Sequence, residues 1–255
     1  MHHLRSKENS DGNLSSETIG KSLRNQLPLN AIRTASLDEV SNQLAQPHIN
    51  AVITPSKRPA LSSLSEEAQR QLLEHPISLY SPRITPKAKE LQLESIQKHL
   101  FPTLTTLSEK EKYFIQSLQE EIFEFGNIIS TYTGNHTNLL ITSNLLVGSG
   151  WHYDVALAAT YKLFGPTTEF IANSSVEIDP HDDSLFIEED AHIFYPQEGE
   201  ILFHHGWPAD NTQIDSLTKP PLVHRVAERV APSPLLEKHN LTHDYMITVV
   251  ASSII

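Results

Sequence analysis

The residues with the clearest chemical potential are His152 and Asp154, one residue apart in the stretch Trp151-His152-Tyr153-Asp154. In an extended segment, residues two positions apart point to the same side, so both side chains could reach one point in space. An imidazole nitrogen and a carboxylate oxygen are both ligands for divalent transition metals. The same spacing also suits a polar pair at the edge of a sheet, in which one side chain binds the other or a backbone amide. The motif therefore predicts a metal site only if a further ligand comes from elsewhere in the chain.

The best candidate for the third ligand is His224, in the short apolar run KPPLVHRV about 70 residues downstream. Two histidines and one carboxylate leave three coordination positions open, which is the arrangement of non-haem Fe(II) oxygenases. His204 and His205 are an alternative source of a ligand, although neighbours in a strand point to opposite faces and only one of them could take part. We predict no catalytic residue beyond the metal ligands.

Composition restricts the kind of site. The 255 residues include no cysteine, which excludes disulfides, thiolate ligands and cysteine nucleophiles, so that any metal must be held by His, Asp or Glu. The formal charge of −12, without a basic cluster, argues against a nucleic-acid partner. No signal peptide and no apolar run long enough to span a membrane is apparent in the sequence. We therefore expect a cytoplasmic protein without a membrane or nucleic-acid partner.

The amino-terminal part of the chain is predicted to be a polar tail followed by helices. Residues 1–30 are rich in Ser, Asn, Glu and Lys, which is typical of a disordered segment. Ser36 and Glu39 form a capping-box pattern at the start of a short helix, and Ser65 begins a second one. Between these helices, residues 48–54 have the β-branched content of a strand.

The longest predicted helix runs from Ser108 to about Tyr132. Ser108 and Glu111 repeat the capping box, and Gly134 supplies a stop signal. Apolar residues spaced three and four apart give one continuous stripe, made of Phe114, Leu118, Ile122, Phe125, Ile129 and Tyr132. We interpret this segment as a helix packed on a sheet.

After residue 138 the sequence changes to short β-like runs separated by turn signals, which predicts an all-β barrel or sandwich. These runs are 139–147, 155–164, 168–172, 192–195, 200–204, 221–226 and 245–250. The acidic stretch VEIDPHDDSLFIEED lacks the ligand spacing and turn glycine of a calcium loop. We therefore divide the chain into a tail (1–30), a helical part (31–135) and a metal-binding β core (136–255), with 31–255 forming one domain.

Several of these segments resemble known families. The order H-x-D, then a Gly-Glu turn before an apolar strand, then a distal His is similar to the jelly-roll (double-stranded β-helix) oxygenases that use Fe(II) and 2-oxoglutarate. The motifs WHYD, TYKLFGPTTEF, WPADN, LVHR and MITV, in this order, resemble an uncharacterised bacterial family known only as a domain of unknown function. The upstream stretch that begins SLDEVSNQLAQ resembles the amino-terminal region of that family, so the resemblance spans about residues 36–252. The chain departs from that family's G-P-G-T-E-W motif, where it has GPTTEF. Both resemblances imply an α+β fold, in which a cupin-like jelly roll carries His152, Asp154 and His224 and the amino-terminal helices pack on it.

A 2-oxoglutarate oxygenase also needs a cation for the distal carboxylate of the cosubstrate, because a buried carboxylate without a partner is costly. Counting by twos along one continuous strand places Lys162 on the same face as His152 and Asp154. Arg229 is the second candidate, whereas Arg225 would face away from the site because it adjoins His224.

Further residues around the motifs have two interpretations each. Tyr161 and Glu169 are either partners that orient a ligand histidine from behind or ordinary strand residues. Trp151 and Trp207 line either a substrate pocket or the core.

Two classes of function follow. The first is an Fe(II)-dependent oxygenase, with or without 2-oxoglutarate as cosubstrate, acting on an unidentified small molecule or protein. The second is a non-catalytic jelly roll that binds a metal or a small molecule, for example in zinc homeostasis. A metal hydrolase is disfavoured because no further carboxylate base adjoins the motif.

Overall fold

A computed structural model gives the architecture of the chain. It describes residues 27–75, 77–81, 83–84, 89–104, 106–143, 150–154, 157–165, 167–179, 184–206, 220–226, 237–240 and 247–253, with the side chains of 89–93 excepted. Most of the predicted tail, residues 1–26, lies outside this part of the chain, so its predicted disorder stays a prediction. Within the described part, the α-helices are α1 (Val40–Leu44), α2 (Glu66–Glu74), α3 (Lys89–Leu100) and α4 (Glu109–Thr133).

Helix α4 forms where the apolar stripe predicts it. Its capping box is present at Ser108 and Glu111, and it ends at Gly134 with φ of 72°, in the left-handed region that favours glycine. The stripe residues Phe114, Leu118, Ile122, Phe125 and Ile129 are fully buried. The Tyr132 hydroxyl donates a hydrogen bond to the Leu44 carbonyl, which ties α4 to α1.

The other helices agree less closely with the sequence pattern. Ser65 caps α2 by accepting a hydrogen bond from the Ala68 amide, as predicted. The segment after Ser36 instead begins as a 3-10 turn, Leu37–Glu39, without a side-chain capping bond, and becomes α-helical only at Val40. Helix α3 is an additional element that the sequence analysis did not predict.

The strands of the described residues alternate with turns over most of the chain. They are β1 (Ala31–Arg33), β2 (Ala51–Pro55), β3 (Ser78–Ser81), β4 (Thr137–Ser143), β5 (Ala158–Phe164), β6 (Thr168–Ile171), β7 (Val176–Ile178), β8 (Leu185–Ile187), β9 (Ile193–Phe194), β10 (Glu200–His204), β11 (His224–Val226) and β12 (Ile247–Ser253). The acidic stretch VEIDPHDDSLFIEED, which is not among the predicted strands, contains the paired strands β7 and β8.

These strands form a jelly roll. The larger sheet has the order β1-β2-β10-β5-β12-β4-β3, and the smaller sheet has the order β11-β6-β9, with His152 paired to His224 at its edge. From β4 onward the chain alternates between the two sheets. β4, β5, β10 and β12 belong to the large sheet, and the segments between them, at His152, β6 with β9, and β11, belong to the small sheet. Alternation between two facing sheets is the topology of the double-stranded β-helix, so the protein has an α+β fold with a jelly-roll core.

The amino-terminal segment contributes to this sheet as well as to the helices. Strands β1 and β2 extend the large sheet beyond β10, and β3 extends it beyond β4 at the opposite edge. Residues 31–135 are therefore not purely helical, and hydrogen bonding crosses the predicted boundary at residue 135.

Two apolar cores lie on the two faces of the large sheet. On the outer face, the helices pack against every second residue of the strands, including Ala159, Tyr161 and Leu163 of β5. On the inner face, between the sheets, a smaller cluster includes Ile53, Phe170, Phe194, Leu202 and Leu222. Among the described residues, no helix is both long and apolar enough to cross a membrane.

Candidate metal centre

The backbone of His152 pairs with the backbone of His224 in β11, the edge strand of the small sheet, and this bridge fixes the two histidines of the predicted triad. The His152 amide donates to the His224 carbonyl at 2.9 Å, and the His224 amide donates to the His152 carbonyl at 2.8 Å. Residues directly opposite each other in an antiparallel pair project to the same face. The ring centroids of His152 and His224 accordingly lie 4.4 Å apart.

Asp154 completes the cluster two residues after His152. One ligand atom from each of His152, Asp154 and His224 lies within 4.8 Å of the other two. The Asp154 Oδ2 atom is 3.7 Å from the His224 Nε2 atom. The structure thus brings the three predicted ligands together, on segments about 70 residues apart in the sequence.

The orientation of both imidazole rings fits a metal ion. The His152 Nδ1 atom lies 2.9 Å from the Gly150 carbonyl oxygen, and the His224 Nδ1 atom lies 3.0 Å from the Leu222 carbonyl oxygen. A carbonyl oxygen can only accept, so Nδ1 carries the proton in each ring and Nε2 keeps its lone pair. Metal-ligating histidines commonly use their second nitrogen in this way, which fixes the tautomer and the ring plane.

The electrostatics of the pocket favour neutral imidazole at His224. Burial lowers the pKa of His224, and the nearby charge of Lys162 lowers it further, while Asp154 opposes both effects. A neutral ring is the form that binds a metal. Together, the two nitrogens and one carboxylate match the donor set of a non-haem iron or zinc centre.

On the other face of the small sheet, three side chains brace the bridge. The Arg225 Nε atom lies 2.9 Å from the Glu169 Oε2 atom, and its guanidinium lies 4.3 Å from the centre of the Trp151 ring. Arg225 adjoins His224 and Trp151 adjoins His152. Glu169 thus contacts Arg225, next to His224 in the sequence, and Arg225 lies over the Trp151 ring.

Lys162 reaches the interior of the jelly roll from β5. It alternates with Tyr161 and Leu163, which pack in the outer core, so Lys162 points to the inner face. Its Nζ atom donates to the Thr248 hydroxyl on β12 at 2.9 Å. Among the described residues, no carboxylate lies within ion-pair distance of Nζ. Burial lowers the pKa of Lys162 to about 8.

The reasoning that led to Lys162 requires a correction. Counting by twos assumed one continuous strand, but His152 pairs in the small sheet while β5 begins at Ala158 in the large sheet. Lys162 lies on the inner face of the large sheet and His224 on the inner face of the small sheet. Because these faces oppose each other, Lys162 still comes near His224. Arg229 and Trp207, the other candidates for cosubstrate binding and for the pocket wall, lie outside the described residues.

Of the two interpretations of Tyr161, its position favours the ordinary strand residue. This side chain is fully buried on the outer face of the large sheet, where its hydroxyl lies 3.0 Å from the Ser56 hydroxyl and accepts a hydrogen bond from Arg58. Ser56 and the amides of Lys57 and Arg58 also donate to the Glu121 carboxylate. Tyr161 thus anchors the loop after β2 to α4 and contacts no ligand histidine.

His204 is the last residue of β10 and His205 follows it, and the two side chains point to opposite faces of the large sheet, as predicted. The His205 ring lies against Tyr132, with centroids 5.2 Å apart. His204 points inward, is fully buried and stands 4.5 Å from the His224 ring.

Sequence reasoning missed two hydroxyl residues in the same interior. Thr248 contacts Lys162, and Thr160 lies 3.2 Å from the His204 Nε2 atom. Thr160 is two residues before Lys162, so the count that singled out Lys162 also placed Thr160 on that face. Thr248 depends on the pairing of β12 with β5, for which the sequence carries no local signal.

No protein-family model and no curated protein matches this chain, so the resemblance to an uncharacterised bacterial family finds no support there. Among solved structures, the chain is similar to a full-length Neurospora crassa protein crystallised in complex with alpha-KG, with 9% identity, a TM-score of 0.39 and coverage of 85% of this chain and 79% of that chain. It is also similar to a Pseudomonas putida prolyl-4-hydroxylase, with 9% identity, a TM-score of 0.32 and coverage of 86% and 98%. At these scores, we assign the fold from the strand order and the site from its own geometry.

Proposed function

We propose that this protein is a non-haem Fe(II)- and 2-oxoglutarate-dependent oxygenase. The observation that carries the proposal is the joint presence, inside one jelly roll, of the His152-Asp154-His224 cluster and Lys162, an inward-pointing and partly buried lysine without a carboxylate partner among the described residues. Fe(II) held by two histidines and one carboxylate supplies oxygen activation and leaves positions for a bidentate cosubstrate.

Each side chain has a definite task in this scheme. His152 and His224 offer Nε2 lone pairs, because their Nδ1 atoms are occupied by backbone carbonyls. Asp154 supplies the single negative charge of the ligand set. The backbone bridge keeps the two rings in register, so the site is largely preformed before a metal arrives.

Lys162 and Thr248 are assigned to the distal carboxylate of 2-oxoglutarate. A buried ammonium is costly without an anion, and a carboxylate bound to it by a charge-assisted hydrogen bond removes that cost. The Thr248 hydroxyl, already 2.9 Å from Nζ, can donate to the same carboxylate. A protein that only stores or senses zinc has no use for this buried cation, and this favours the oxygenase over the non-catalytic alternative.

The metal site is tested with Co(II), whose visible absorption reports the ligand field, titrated into the metal-free protein. We expect one equivalent to bind to the wild type and the affinity to fall by 10-fold or more in His152→Ala, Asp154→Ala and His224→Ala. His192→Ala, which removes an exposed histidine just before β9, is the matched control and should bind as the wild type does. Unchanged binding in His152→Ala would overturn every metal-dependent function for this site.

A further inference from the structure

His204 lies between two alanines on the inner face of the large sheet. In the large sheet it pairs with Ala158 of β5 on one side and with Ala51 of β2 on the other. Two small neighbours leave space above the sheet for a ring, and that ring is fully buried. A buried polar side chain between alanines is costly unless it has a partner, so its surroundings indicate its role.

The ring is directed at the carboxylate of the candidate metal centre. The His204 Nε2 atom lies 3.8 Å from the Asp154 Oδ2 atom, almost the same distance as the His224 Nε2 atom at 3.7 Å. The Asp154 side chain is 40% exposed and free to adjust. A shift of about 1 Å would bring its oxygen into hydrogen-bond distance of His204.

The hydrogen bonds of the ring determine where its proton resides. The Nδ1 atom of His204 is buried and has no hydrogen-bond partner in the part of the chain that the structure describes. A buried N–H without an acceptor is rarer and costlier than an unused lone pair. The proton therefore belongs on Nε2, which faces the Thr160 hydroxyl oxygen at 3.2 Å as well as Asp154.

We propose that His204 is a positioning residue whose Nε2–H holds the Asp154 carboxylate at its Oδ2 atom. This inference rests on the proposed metal site. A protonated Nε2 cannot ligate, so His204 supports a three-residue ligand set and does not convert it to a four-residue one. Outer hydrogen bonds of this kind orient a ligating carboxylate and raise metal affinity.

The test compares substitutions that keep or remove a donor at each ring nitrogen. In His204→Gln the side-chain amide lies near the place of Nε2, in His204→Asn it lies near the place of Nδ1, and His204→Leu has no donor. We expect Co(II) affinity within about 3-fold of wild type for Gln, and a loss of about 10- to 100-fold for Asn and Leu. His205→Leu is the control, because His205 follows His204 and lies against Tyr132 on the outer face, and it should leave the affinity unchanged.

The outcomes separate this inference from the proposed function. Equal losses in Gln, Asn and Leu, together with a changed Co(II) spectrum, would make His204 a fourth ligand and overturn the positioning role. Wild-type affinity in the Leu variant would overturn it as well. A wild type that binds no Co(II) would instead refute the metal site itself, and the positioning role with it.

The tautomer gives a second test that requires no metal. Nitrogen-15 NMR of the histidine rings in the metal-free wild type should show His204 neutral and protonated on Nε2 at pH 7. A proton on Nδ1 would contradict the proposal, whatever the variants do.

Discussion

Lys162 is the residue whose energetics argue most strongly for a ligand. Its ammonium group is buried, contacts Thr248, and has no carboxylate partner among the residues that the structure describes. Such a group reduces the stability of the free protein, because the charged form is poorly solvated inside the barrel. At pH 7, where the ammonium is charged, an anion bound beside it would offset this cost.

The first prediction follows from this cost. Lys162→Met should raise the free energy of unfolding of the metal-free protein at pH 7 by about 1–3 kcal/mol, since burial lowers the pKa of Lys162 from 10.5 to about 8. Urea denaturation measures the change. Lys112→Met, which alters an exposed lysine paired with Glu109, should change stability by less than about 0.5 kcal/mol.

The pH dependence of this difference has a definite sign. Between about pH 8 and 10.5 the unfolded chain binds the Lys162 proton and the folded protein does not, so this residue makes stability rise with pH across that window. The advantage of Lys162→Met should therefore be complete below pH 8 and disappear above 10.5. An advantage that grows with pH would contradict the assignment.

Among the elements, the small sheet determines how rigidly the two histidines are held. The bridge between His152 and His224 is short, and the Glu169–Arg225–Trp151 contact lies on its other face, where we expect it to restrict the motion of both histidines. We therefore expect Glu169, which faces away from the pocket, to influence the positions of His152 and His224 inside it.

Glu169→Gln should accordingly weaken Co(II) binding by about 3- to 10-fold, in addition to any loss of stability. Glu200→Gln is a matched control because it breaks a comparable pair with Arg33, at 3.0 Å, at the opposite end of β10 from His204. It should leave Co(II) affinity as in the wild type. Equal effects of the two substitutions would mean that Glu169 matters only for stability.

A single carboxylate links the starts of two helices on the outer face. Glu111 accepts hydrogen bonds from the Ser108 amide and hydroxyl at the start of α4 and from the Ser65 amide at the start of α2. Burial raises the pKa of Glu111, but these hydrogen bonds outweigh it and bring the pKa down to about 2.

Glu111→Gln should lower the free energy of unfolding by about 1–3 kcal/mol at pH 7. Because the folded pKa lies below the unfolded value of 4.5, the contribution is complete above that pH and is lost as the pH falls towards 2. Glu109→Gln, in the same helical turn but exposed, serves as the control. Urea denaturation at about pH 7 and about pH 3 should show the penalty of the Glu111 variant shrinking at the lower pH.

For the whole molecule, the sequence predicts local elements better than their assembly. The stripe and caps of α4 and the alternating strand segments are local signals, and they agree with the structure. The edge strands β1 and β3, the β7–β8 hairpin and the split between His152 and β5 depend on pairing between distant segments. The His-x-Asp motif and His224 could be predicted from short stretches of sequence. The contacts of Thr248 and His204 could not, because they depend on the register between distant strands.

A metal that binds only the folded protein should stabilise the whole domain. At a Co(II) concentration 100-fold above Kd, the gain is about 2.7 kcal/mol, which corresponds to a rise in Tm of roughly 5–10 °C. Thermal unfolding with and without Co(II) measures it, and His152→Ala, with affinity at least 10-fold weaker, should show at most about half of this rise. The same rise in that variant would indicate that Co(II) binds elsewhere.

The most direct test of the oxygenase proposal is an anaerobic titration of the Fe(II)-loaded protein with 2-oxoglutarate, followed by the visible charge-transfer absorption of the complex. We predict saturable binding to the wild type and affinity about 100-fold weaker in Lys162→Met, because the distal carboxylate loses its buried cation. Fe(II) binding without any 2-oxoglutarate signal in the wild type, or unchanged affinity in Lys162→Met, would contradict the account.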